Sequence, residues 1–82
     1  MDESTIKKIV TDYIVNEFLY GEGENLTDQT QLALEGVMDS IQILRLVTFL
    51  EKTFSISLSA REANNQMETI TSIVQLVASK AA

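Results

Sequence analysis

Gly36-Val37-Met38-Asp39-Ser40-Ile41 marks the point where this chain passes from irregular to regular structure. Just beyond it, Ile43, Leu46, Val47, Leu50 and Phe54 recur at i, i+3, i+4, i+7 and i+11. At about 100° per residue they fall within roughly a 100° sector, so the spacing predicts an amphipathic helix over residues 40–53 with that stripe in the core. Asp39 is its expected N-cap, with Ser40 in the first turn. First-turn amides lack intrahelical partners and the helix dipole favours negative charge there, so Ser40 sits where a phosphate-linked group would be well received. Ile41, Leu44 and Thr48 do not belong to the stripe. They project to nearly the opposite side, beside Arg45 and Lys52, and form a second apolar spot that the core does not explain.

Upstream, Ile6, Ile9, Val10, Tyr13 and Ile14 define one face of a helix over residues 4–19, with Ser4 as its expected N-cap. Gly21 and Gly23, among Glu22, Glu24 and Asn25, end it and open a loop that reaches Asp39. A loop of that length needs anchors, and Leu26, Leu32 and Val37 are the candidates. Asp28 and Thr30 are expected to hold its turns by local side-chain to backbone bonds. Downstream, Ser55-Ile56-Ser57-Leu58 alternates polar and apolar, but no partner strand is visible, so it reads as an extended linker. Ser59-Ala60-Arg61-Glu62 matches a capping box that starts a short third helix, and Asn64-Asn65-Gln66 is a polar break. A fourth helix is expected over residues 71–79, capped by Thr71. Ile70, Ile73, Val74, Leu76 and Val77 supply its buried face, and Lys80 lies by its last carbonyls. The expected fold is all-α: a small helical bundle of three main helices plus one short helix, with a long loop between helices 1 and 2. Residues 1–82 are expected to form one domain.

Composition narrows the function. Apolar residues make up 45% of the 82, which suits a globular chain, yet so small a core leaves little room for a deep catalytic cleft. Six Lys and Arg against twelve Asp and Glu give a net charge of -6. That argues against nucleic acid and against an anionic membrane surface, and it favours partners with basic docking patches. With neither cysteine nor histidine, there is no thiolate, no disulfide and no imidazole to serve as base or metal ligand. No calcium-loop spacing is present among Glu22, Glu24, Asn25 and Asp28, so no metal is expected. Met1-Asp2-Glu3-Ser4 lacks the basic-then-apolar order of a secretory signal and no apolar run is long enough to span a bilayer, so the expectation is a cytoplasmic monomer.

Taken together, the helix order, the long loop, Gly36-x-x-Asp39-Ser40-Ile41 and the following Leu44, Leu46, Val47, Phe49, Leu50, Glu51 and Phe54 resemble the acyl carrier and peptidyl carrier protein family over nearly the whole chain. The resemblance implies that Ser40, with Asp39 as its motif neighbour, receives a phosphopantetheine arm from coenzyme A by the action of a phosphopantetheinyl transferase. Acyl or aminoacyl cargo then rides on the arm's thiol as a thioester. It also implies partners: an acyl- or amino-acid-activating ligase or adenylation enzyme, and a downstream synthase, transferase or thioesterase. The expected docking surface comprises Met38, Ile41, Leu44, Arg45 and Thr48. Fatty acid synthesis carriers resemble one another in a strongly acidic second helix. Here Arg45 and Lys52 interrupt the acidity and leave Glu51 as the main negative charge, which points to a specialised polyketide, nonribosomal peptide or aminoacyl pathway. The chain also has no proline, whereas many relatives place one before the third helix; Ser59 fills that cap role.

Two other readings compete. A non-covalent helical interaction module would use the Ile41/Leu44 surface as a permanent interface, unless Leu32 or Met38 of the loop covers those side chains. A hydrolase with Ser40 as nucleophile has no histidine to activate it. Tyr13 and Tyr20 read as packing residues with wet hydroxyls.

Overall fold

The computed structural model describes residues 2–81 and contains four helices. These are α1 (Glu3–Phe18), α2 (Ser40–Phe54), α3 (Ala60–Asn65) and α4 (Ile70–Ala81). The expected all-α bundle with one short helix is therefore what the chain forms, and no strand pairing occurs among the described residues; the expected extended linker begins only after Ser55, which ends α2 in a left-handed turn at φ 55. α4 packs mainly along α1, while α2 meets α1, α3 and α4 more sparingly. Ile6, Val10, Ile14 and Phe18 of α1, Leu46, Leu50 and Phe54 of α2, and Ile70, Ile73, Val74, Leu76 and Val77 of α4 close one core. Ile43 and Val47 of the predicted stripe lie at its edge, half-buried.

Helix starts depart from expectation at both ends of the chain. α1 is capped by Asp2 and not by Ser4: the Asp2 carboxylate accepts from the Thr5 amide at 2.8 Å. Two capping residues compete here, and the carboxylate also gains from the dipole of the helix it caps. α4 starts one residue earlier than predicted, and Thr69 does the capping in place of Thr71. Its hydroxyl accepts from the Ser72 amide at 3.1 Å, and the Ser72 hydroxyl accepts from the Thr69 amide at 3.1 Å. Thr71 is occupied elsewhere, for its amide and hydroxyl both donate to the Asp28 carbonyl in the long loop. Asn64 and Asn65 lie inside α3 and do not break it; Gln66 is the C-cap. Lys80 stands in the last turn of α4 as expected, and it also reaches a distant carbonyl. Its ammonium donates to Ser57 at 2.9 Å and pairs with Glu62 at 2.8 Å, tying the linker and α3 to α4.

The loop over residues 19–39 is stitched to the body at two points. At the first, Asp28 accepts from Thr71 through its backbone, and its side chain pairs with Lys7 on α1 and makes no turn bond of its own. Thr30 does hold a local turn, accepting from the Thr27 amide at 2.9 Å. At the second, Leu32 is fully buried. Its amide donates to the Glu68 carbonyl at 2.9 Å, and its own carbonyl accepts from Val37 at 2.8 Å and Met38 at 3.1 Å. Leu26 and Val37, the other expected anchors, are half-buried against the core. Gly36 turns the chain into this arrangement at φ +78, a left-handed conformation that side chains disfavour. Tyr20 is 89% exposed and packs on nothing substantial, against expectation: it sits at φ 53 in the turn that leaves α1.

Candidate functional site: the start of α2 and its outer face

Ser40 is the first residue of α2 and is exposed. Asp39 caps the helix as expected, its carboxylate accepting from the Gln42 amide at 2.8 Å. Gln42 returns the bond, its side-chain carbonyl accepting from the Asp39 amide at 2.9 Å. This reciprocal pair immobilises the helix start on both sides of Ser40. The role of Gln42 was readable as Asp-x-x-Gln, the capping-box spacing, but the motif itself does not draw attention to it. The hydroxyl of Ser40 and the amides of Ser40 and Ile41 have no intramolecular partner among the described residues. An oxygen anion bonded through that hydroxyl would therefore meet unused donors at the positive end of a helix. The chain thus fits a phosphate-linked group at this point without any rearrangement of the cap.

The outer face of α2 continues from there. Ile41 and Leu44 are each 64% exposed, and Arg45, Thr48 and Lys52 are exposed beside them. Neither Leu32 nor Met38 covers them, because both of those side chains belong to the core. Met38 is therefore a correction to the expected docking surface: at 2% exposure it points inward, drawn under by the bond from its amide to Leu32. Ile41, Leu44, Arg45, Thr48 and Lys52 line an open groove of about 450 Å³ together with Tyr13 and Phe49. The two rings stack with centroids 3.9 Å apart and 17° between planes, and Tyr13 meets Phe18 edge-on at 5.6 Å. Such a platform is stiff and apolar. Burial, helped by the Glu17 carboxylate, pushes the Tyr13 phenol above its ordinary value, and Arg45 offsets part of that rise. No sequence pattern places Tyr13 under Phe49, since the contact depends on the register of α1 against α2.

Glu51 does not give α2 a negative outer face. Its carboxylate is turned back and accepts from the Leu58 amide at 2.9 Å, half-buried over the linker. Among the described residues no group of His, Asp or Glu could hold a metal ion, and no helix is long and apolar enough to cross a membrane.

Comparison with known families agrees with this geometry. The family described as "phosphopantetheine attachment site" matches residues 14–78, well over half of the chain, and Ser40 falls inside the match. No curated protein matches the chain significantly. Domains of this family are carriers of covalently attached phosphopantetheine and not catalysts, and they work by meeting modifying and biosynthetic enzymes. An open serine on a locked helix start, an all-helical body and the matched span lead to one conclusion: the chain belongs to the phosphopantetheine attachment site family of carrier proteins.

Proposed function

We propose that residues 1–82 act as one carrier domain whose attachment point is the Ser40 hydroxyl, and that Asp39 serves that site by fixing the helix start. The observation that carries the reading is that Ser40 joins an exposed, unengaged hydroxyl to the start of a capped helix, which the exposed Ser55 and Ser57 of the linker do not. The hydroxyls of Ser59, Ser72 and Ser79 are engaged in caps or helix carbonyls. Ser4 also lies in a first helical turn, but it falls outside the span that matches the family. In the loading step the Ser40 oxygen bonds to the pantetheine-bearing phosphorus of coenzyme A, the bond from that phosphorus to the bridging oxygen breaks, the adenosine bisphosphate leaves with that oxygen, and the serine proton passes to the transferase. The bound arm supplies a thiol that holds acyl or aminoacyl groups as thioesters. The chain's own part is to keep its root exposed and its scaffold rigid.

The pathway we propose is a specialised one, of the polyketide, nonribosomal peptide or aminoacyl type, in place of general fatty acid synthesis. What supports this is the outer face of α2, where Arg45 and Lys52 stand and Glu51 is turned away. The expected partners are a phosphopantetheinyl transferase, an activating ligase or adenylation enzyme, and a downstream synthase, transferase or thioesterase, met by a monomer in the cytoplasm. Incubation with coenzyme A and a broad-specificity transferase should raise the intact mass by one phosphopantetheine arm, and Ser40→Ala should abolish the gain. An unchanged mass under conditions that modify a control carrier would overturn the assignment of Ser40.

A further inference from the structure

The outer groove of α2 is where cations gather on this acidic molecule. Lys7, Lys8 and Lys80 are each paired with a carboxylate, on Asp28, Asp12 and Glu62 respectively. Arg45, Lys52 and Arg61 have no such partner among the described residues, and the first two line the same groove. Residues 19–39, by contrast, carry five acidic side chains and no Lys or Arg. Net charge alone predicts a basic partner; the distribution of charge predicts the opposite for this face.

We infer that the groove docks a helical segment of a partner enzyme that presents an apolar side chain between two acidic ones. The apolar side chain rests on the Tyr13–Phe49 platform between Ile41 and Leu44, and the acids meet Arg45 and Lys52. Arg45 and Lys52 stand seven residues apart on one helix, or about 10 Å along its axis at about 1.5 Å per residue. A partner helix lying along the groove therefore matches them with acids seven residues apart. Arg45 adds direction, because a guanidinium can grip a carboxylate with two parallel bonds. The acidic loop repels the same partner and so fixes which way it lies. That the partner is an enzyme rests on the carrier reading above; the chemistry of the groove does not depend on Ser40.

The probes are a synthetic helical peptide with a central leucine between glutamates seven residues apart, and its lysine counterpart. Titrated into the full chain, the glutamate peptide should move the amide resonances of Ile41, Leu44, Arg45, Thr48, Phe49 and Lys52, with binding that weakens as salt is added. Exposed ion pairs are worth about 1.4- to 5-fold each, so two should favour it over the lysine peptide by about tenfold. The doubly reversed variant R45E/K52E, whose helix content is checked by circular dichroism, should invert that order. Ser40→Ala should bind like the parent, which separates this result from failure of the mass gain. Equal or tighter binding of the lysine peptide, no binding of either, or shifts confined to residues 19–39 would overturn the inference. So would groove shifts that depend on protein concentration alone, which mean self-association, or that appear on arm attachment and exclude the peptide, which mean the groove houses the cargo.

Discussion

The two faces of α2 are built from the same kinds of residue and meet opposite fates. Leu46 and Leu50 are fully buried, whereas Ile41 and Leu44 on the same helix stay mostly exposed. The inward leucines belong to the common core and cannot be truncated without a large loss of stability. The outward ones stay open to solvent along the groove, and the docking proposed above is what would use their apolar character. The difference teaches that composition of a helix says little about its role; the direction of each side chain relative to the core says most.

The sharpest test of that contrast is a pair of truncations. Leu50→Ala should cost about 2–5 kcal/mol, a large share of the roughly 4–12 kcal/mol available to a domain of this size. Leu44→Ala should stay within about 0.5 kcal/mol, since its side chain is exposed. Urea unfolding followed by circular dichroism measures both, and comparable losses would break the distinction. A second pair sits at the helix start. Asp39→Ala removes the carboxylate arm of the capping box, leaves the bond from its own amide to Gln42, and should lower stability by about 1 kcal/mol, with Ser40→Ala alongside it close to neutral. Gly36→Ala extends the contrast into the loop. No atom lies near its added methyl, so the loss of about 1 kcal/mol should come from the left-handed backbone alone.

The smallest effect is a dependence on pH. The Lys80 ammonium, with the Ser59 amide, holds the Glu62 carboxyl below its ordinary value of 4.5. A carboxyl depressed in the folded state stabilises it above the unfolded value, and that contribution fades as pH falls through the lower folded value. The difference in melting temperature between the parent and Glu62→Gln should therefore be present at neutral pH and shrink below about pH 4. A difference that stays constant through acid would mean that the Lys80 contact adds nothing.

Much of this was legible in the sequence, for reasons that differ by element. The period of Leu46, Leu50 and Phe54 marks a buried stripe because a helix must hide one face. Asp39 and Ser59 announce their helices because capping is a local matter, settled within four residues. Local signals failed where two candidates stood close together, as with Asp2 against Ser4 and Thr69 against Thr71. There a contact distant in sequence decided one case, for Thr71 was needed by Asp28. Met38 was misplaced because an apolar residue beside a motif can face either way, and only the bond from its amide to Leu32 shows which. The Tyr13–Phe49 stack was illegible altogether, being a property of how two helices settle against each other.

Leu32 has a consequence that reaches beyond the loop it anchors. By joining Glu68 on one side to Val37 and Met38 on the other, it hangs the approach to Ser40 from the segment that leads into α4. The root of any tether on Ser40 is thus mounted on a bracket with fixings at both ends, and reach has to come from the tether and not from the mount. With the tether on Ser40 as proposed, a visiting enzyme would be offered a handle whose position is set from both sides, by Glu68 as well as by the loop itself.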